Sequence, residues 1–130
     1  HNKTTIIIGY NEGWKQDVNM GRDMNRKFYQ IPYARLINKI AGKFKESNVV
    51  RIQEAFTSKC DGLNLETIGM KNKYDGNRIK RGLYQSKTGR IINADVNGAI
   101  NIMRLYCKQE EIQFKRVDGI NICNPQVIQI

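Results

Sequence analysis

Two short apolar runs, separated by one helix-length segment, constrain the fold more than any other feature of this chain. Residues 4–9, TTIIIG, and residues 49–54, VVRIQE, are β-branched and apolar, as in strands buried within a parallel sheet. Between them, Phe28, Tyr33, Leu36, Ile37, Ile40 and Phe44 recur at helical spacing. Pro32 sits in the first turn or marks a break there. Lys43 and Lys45 fall in the last turn, where cations suit the helix dipole, and Ser47-Asn48 ends the element. Strand, helix and strand at this spacing predict a βαβ unit with its two strands parallel. The polar stretch YNEGWKQDVNMGRDMN after the first run is turn-rich, with Trp14 expected as a packing residue.

From Ala55 to about Arg90 the pattern predicts a loop. A final helix is expected from Ala94 or Asp95, with Val96, Ala99, Ile100 and Met103 on one stripe and Asp95, Ala99, Ile102 and Tyr106 on the next. Beyond Cys107 the apolar residues lack a clear period, and a short edge strand is expected near 120–123. The organisation that follows is a domain over 1–106, with a basic loop insertion at 60–92, and a tail over 107–130.

The chain has 22 Lys and Arg against 12 Asp and Glu, a net charge of +10, and attraction to polyanions is the direct consequence. Its 40% hydrophobic content separates it from disordered basic tails. No run approaches the ~18 apolar residues of a membrane span, no secretory signal pattern opens the chain, and 3 cysteines at wide spacing do not make a disulfide framework. An intracellular, soluble protein is expected. The chain opens on HNKTT without a methionine, as expected of a trimmed chain or a piece of something longer.

The charge is local. Residues 71–90 carry Lys71, Lys73, Arg78, Lys80, Arg81, Lys87 and Arg90 against Asp75 alone. Tyr74 and Tyr84 are interleaved, a combination suited to backbone tracking and base stacking. The nucleic-acid-binding candidates are therefore those seven cations and Tyr84.

Two carboxylates flank this stretch. Glu54 ends the second apolar run, where ligands of parallel α/β sheets bind, and Asp95 opens the last helix. Alone, the first reads as a solvated strand end and the second as a helix-dipole partner. Together on a basic chain they suggest ligands for divalent cations in phosphodiester chemistry, although such sites ordinarily hold three or four acids.

The segments IGYNEGWKQ, EAFTSKCD, RIKRGLY and NADVNGAINI, in that order, resemble the C-terminal part of the OrfB/TnpB proteins of bacterial insertion sequences. These are RuvC-like nucleases related to type V CRISPR effectors, and the similarity runs from about Ile6 to Met103. The resemblance implies an α/β fold: the C-terminal portion of an RNase H-like domain, incomplete without upstream strands. It also implies a transposon-encoded, RNA-guided DNA endonuclease using Mg²⁺ or Mn²⁺, with DNA and guide RNA as partners, in a bacterial cytoplasm near the nucleoid. Asp95 matches the family's third catalytic aspartate. The family's glutamate position at the end of the first run holds Gly9, and Glu54 stands in front of the EAFTSK aromatic, where relatives usually have no acid. A relocated catalytic glutamate follows, since neighbouring strands lie only about 4.8 Å apart. The first catalytic aspartate belongs upstream, because Asp61, Asp75 and Asp118 are all misplaced for it, so inactivity alone is expected. The zinc ribbon of relatives needs two C-x-x-C pairs, and only Cys60 lies in that interval. Zinc is therefore not expected, Cys107 and Cys123 read as free thiols, and the basic loop stands in the ribbon's place. The alternatives are a noncatalytic DNA-binding module and a decayed transposase fragment.

Overall fold

Strands β1 (Ile6–Tyr10) and β2 (Val49–Gln53) pair in parallel, with Ile6 opposite Val49 and Tyr10 opposite Gln53. This is the pairing the two apolar runs predict. The computed structural model describes residues 4–10, 33–44 and 48–115. The chain divides into two compact units, His1–Gln53 and Glu54–Ile130. Helix α1 (Tyr33–Lys43) belongs to the first unit and ends with Lys43 in its last turn. Ile37, Ile40 and Ala41 form its half-buried stripe, at the i, i+3, i+4 spacing of a one-sided helix. Leu36 and Phe44, expected on that stripe, are exposed instead. Phe28, Pro32, Trp14, Lys45 and the strand expected near 120–123 lie outside the described residues.

The second unit holds what the sequence pattern does not predict. In place of a continuous loop over 55–90, strands β3 (Asn77–Lys80), β4 (Leu83–Gln85) and β5 (Ile91–Asn93) form an antiparallel sheet in the order β3-β4-β5. The β3–β4 register shifts between Arg78 and Lys80, and the chain reverses through Arg81-Gly82. Gly82 there has φ +80°, a left-handed conformation that glycine adopts without strain. The β4–β5 turn is closed by Ser86 N–H donating to Arg90 O at 2.8 Å, with Gly89 at φ +85°.

Burial on β4 and β5 alternates as a one-sided sheet requires. Tyr84 and Ile92 face each other across the strands and are buried, while their neighbours are partly or fully exposed. They meet Leu63, Ala94 and Ile100 in the core of this unit, with Val96 and Phe114 packed against it. Helix α2 (Ala94–Gln109) starts where the sequence places it and runs on through Cys107. Its N-cap is Asn93, whose Oδ1 accepts from Asp95 N–H at 2.8 Å and Val96 N–H at 3.2 Å. No helix among the described residues is long and apolar enough to cross a membrane.

Candidate nucleic-acid interface

The motif NADVNGAINI is a helix start that doubles as a clamp. Asn93, Asn97 and Asn101 recur every four residues and so lie on one face of α2. Asn93 caps the helix; the other two are fully buried and bind the backbone of residues 57–62. Asn97 accepts from Gly62 N–H at 2.9 Å and donates to Cys60 O at 2.9 Å. Asn101 donates to Thr57 O at 2.8 Å and to Cys60 O at 2.7 Å. Arg104, one turn on, donates to Asn101 Oδ1 and to Glu66 O, each at 2.8 Å. Burial draws its guanidinium below the ordinary value, and Asp61 and Glu66 oppose that shift. A Cβ on Gly62 would meet Ile100 at 3.0 Å and Asn97 Oδ1 at 3.1 Å, so the loop lies close against the helix only as glycine.

Two buried carboxylates hold the rest. Asp61, wholly inaccessible, accepts through Oδ2 from Ser86 Oγ–H and Lys87 N–H, both at 2.7 Å, and through Oδ1 from Asn64 N–H at 3.1 Å. Glu66 accepts from Asp61 N–H at 2.7 Å, Asp75 N–H at 3.0 Å and Lys71 Nζ at 3.0 Å. Asp61 ties its own turn to residues 86–87, and Glu66 ties residue 61 to residues 71–75, through charge-assisted bonds of the stronger sort. Among the described residues, no group of three or more His, Cys, Asp or Glu comes together to hold a metal ion. Residues 60–66 and 86–87 are joined through these carboxylates. Cys60 and Cys107 are buried free thiols, and Cys123 lies outside the described residues. Asp61 and Glu66 were invisible as structural residues in a sequence read for catalytic acids.

This frame displays most of the basic residues of 71–90. Lys73, Arg78, Lys80, Arg81, Lys87 and Arg90 are exposed. Lys71 is committed inward, its ammonium paired with the buried Glu66 carboxylate. Tyr84, a candidate for base stacking by sequence, is 1% exposed and donates its hydroxyl to Lys59 O at 2.8 Å. Burial, then the charges of Asp61 and Glu66, hold its phenol well above the ordinary value, so it stays a neutral donor. Its ring belongs to the core because it stands opposite Ile92 on the covered face of the sheet. The aromatic at the surface is Tyr74, half-buried, whose hydroxyl donates to Gly69 O and accepts from Lys71 N–H, both at 3.3 Å.

Of the two metal-ligand candidates, Asp95 is exposed at the second position of α2. Glu54 is half-buried and directly follows Gln53, the last paired residue of β2; Gly9 stands opposite Ile52. A divalent-cation site for phosphodiester chemistry ordinarily holds three or four acids, of which Glu54 and Asp95 would supply two. Burial raises the Glu54 carboxyl above its ordinary value of 4.5. A carboxyl raised by folding favours the folded state fully only when protonated, below that ordinary value, and this contribution is lost as pH rises through the folded value. Glu54→Gln, which mimics the protonated form, is therefore expected to raise the unfolding temperature slightly at neutral pH in EDTA. The gap should close on acidification below 4.5, and thermal unfolding at both pH values checks it. A variant less stable than the parent at neutral pH would contradict it.

The family model described as Cas12f1-like, TNB domain matches residues 33–102 of the 130. Comparison with curated proteins and with solved structures returns no match.

Proposed function

The chain belongs to the Cas12f1-like TNB domain family, and from that premise we propose that it is the nucleic-acid-binding C-terminal part of a TnpB-type, RuvC-like DNA nuclease encoded by a transposon. The observation that carries this reading is the basic sheet. Arg78, Lys80, Arg81, Lys87 and Arg90 are exposed on and around β3–β5, in a unit whose carboxylates Asp61 and Glu66 are turned inward. Cations left free of internal partners are what phosphate neutralisation requires.

On the same reading, Glu54 and Asp95 are two ligands of a Mg²⁺ or Mn²⁺ site whose remaining acids lie outside these residues. The RNase H-like fold, guide RNA and a cytoplasmic, nucleoid-associated location come with it. The chain by itself then binds DNA without cutting it, which is also what a noncatalytic module does. Addition of upstream sequence bearing the missing aspartate separates those two cases.

The test is fluorescence anisotropy of the 130-residue chain with labelled DNA across a salt series. If Arg78, Lys80, Arg81, Lys87 and Arg90 each neutralise one phosphate, log K should fall against log salt with a slope of about −3.5 on single strands. Absence of binding at low salt, or a flat slope, would overturn the reading.

A further inference from the structure

A groove of about 740 Å³ opens beside the β3–β4 hairpin, lined in part by Lys59, Lys73, Tyr74, Asp75 and Arg78. Its size is that of a small-ligand site rather than of a surface dimple. We propose that this groove seats one unstacked nucleotide of a single strand, its phosphate held by Lys59, Lys73 and Arg78 and its base laid against Tyr74. The proposal rests on the nucleic-acid reading above and deepens it by naming where and in what state the strand is held.

Four features support this. The three cations come from two segments distant in sequence, residue 59 and residues 73–78, and the fold brings them to one groove. None of the three has an ion-pair partner among the described residues, whereas Lys71, immediately beside them in sequence, is paired with Glu66. The lining keeps a net charge of +2, because its one acid, Asp75, stands against three cations and already accepts from Asn64 Nδ2 at 3.1 Å through Oδ2. Tyr74 is pinned at its hydroxyl by two hydrogen bonds, which removes the entropy cost of ordering the ring on binding.

The floor of the groove is closely packed: a Cβ on Gly76 would lie 2.6 Å from Gln85 O and 2.6 Å from the Tyr84 ring, so the backbone runs directly over Tyr84 and only glycine fits there. Bases inside a duplex are stacked on their neighbours and cannot enter a concave site, whereas a single strand offers each base a free face. The groove therefore favours single strands, while the outer cations Lys87 and Arg90 act on any phosphate backbone.

The experiment compares a labelled oligothymidylate of twelve nucleotides with the same strand annealed to its complement, using the 130-residue chain. Arg78→Gln and Lys73→Gln are expected to weaken the single strand about tenfold. Tyr74→Leu should weaken it to a similar degree, as loss of one stacked base does, with less than a twofold effect on the duplex. Tyr74→Phe keeps the ring but loses the two hydroxyl bonds that pin it, and should fall between the parent and Tyr74→Leu. Lys87→Gln and Arg90→Gln should weaken both probes equally. If the parent binds neither probe, the nucleic-acid reading fails and the groove assignment with it. If the parent binds but the groove variants behave like Arg90→Gln on both probes, the groove assignment alone is overturned. The two Gln variants lie at exposed positions and keep the test decisive should Tyr74→Leu fail to fold.

Discussion

Asp61→Ala is expected to cost about 3–5 kcal/mol of folding stability in the second unit, read as a lower urea midpoint with little change in slope. The size follows from what the carboxylate holds. It is fully buried and accepts from Ser86 Oγ–H, Lys87 N–H and Asn64 N–H. Each buried donor left without a partner costs about 1–3 kcal/mol. Ser86 is itself 3% exposed, so water does not readily replace the lost acceptor. Asp61→Asn keeps the shape but turns an amide NH₂ toward one of the three donors, so it should fall between parent and alanine variant. Because Asp61 ties the β4–β5 turn to residues 60–66, DNA affinity should fall alongside stability and recover where the variant is still folded at lower temperature. A midpoint change worth under about 1 kcal/mol for Asp61→Ala would show that the carboxylate is not the fastening point.

That fastening was only partly legible from residue order. The parallel pair β1–β2 could be read because its runs are β-branched and apolar, and the helix start near Ala94 because Asp95 is typical of a first turn. The three-stranded sheet could not. Its strands have four, three and three residues, and β3 is exposed along its whole length, so no run of alternating burial is long enough to register. The turn glycines at 82 and 89 were visible as punctuation, but punctuation between charged segments also fits a loop. Tyr84 looked like a stacking residue because cations surround it in sequence. Its burial depends on a partner eight residues on, Ile92, whose pairing is set by the sheet. Asp61 and Glu66 were not legible as fastenings, since the partners that make them so, Lys87 and Asp75, lie 26 and 9 residues away. The basic character of the surface, by contrast, survives folding because the buried acids are those already committed to backbone N–H groups.

Asn97→Leu is expected to destabilise this unit by about 2–4 kcal/mol, although the replacement is close to isosteric. Asn97 is wholly buried and is the acceptor for Gly62 N–H, whose neighbourhood is too tight for a water to enter: even a methyl there would meet Ile100 at 3.0 Å. The loss at its other end is smaller, because Cys60 O also accepts from Asn101 Nδ2 at 2.7 Å. This shared acceptor makes a sharper test than either variant alone. Removing one asparagine leaves Cys60 O satisfied; removing both strands it. The double variant Asn97→Leu with Asn101→Leu should therefore exceed the sum of the singles by about 1 kcal/mol in a double-mutant cycle. Additive losses would mean that the two side chains act as independent packing residues. Coupled losses would mean that residues 57–62, and with them Lys59 on the rim of the groove, are held by α2 through one carbonyl read twice.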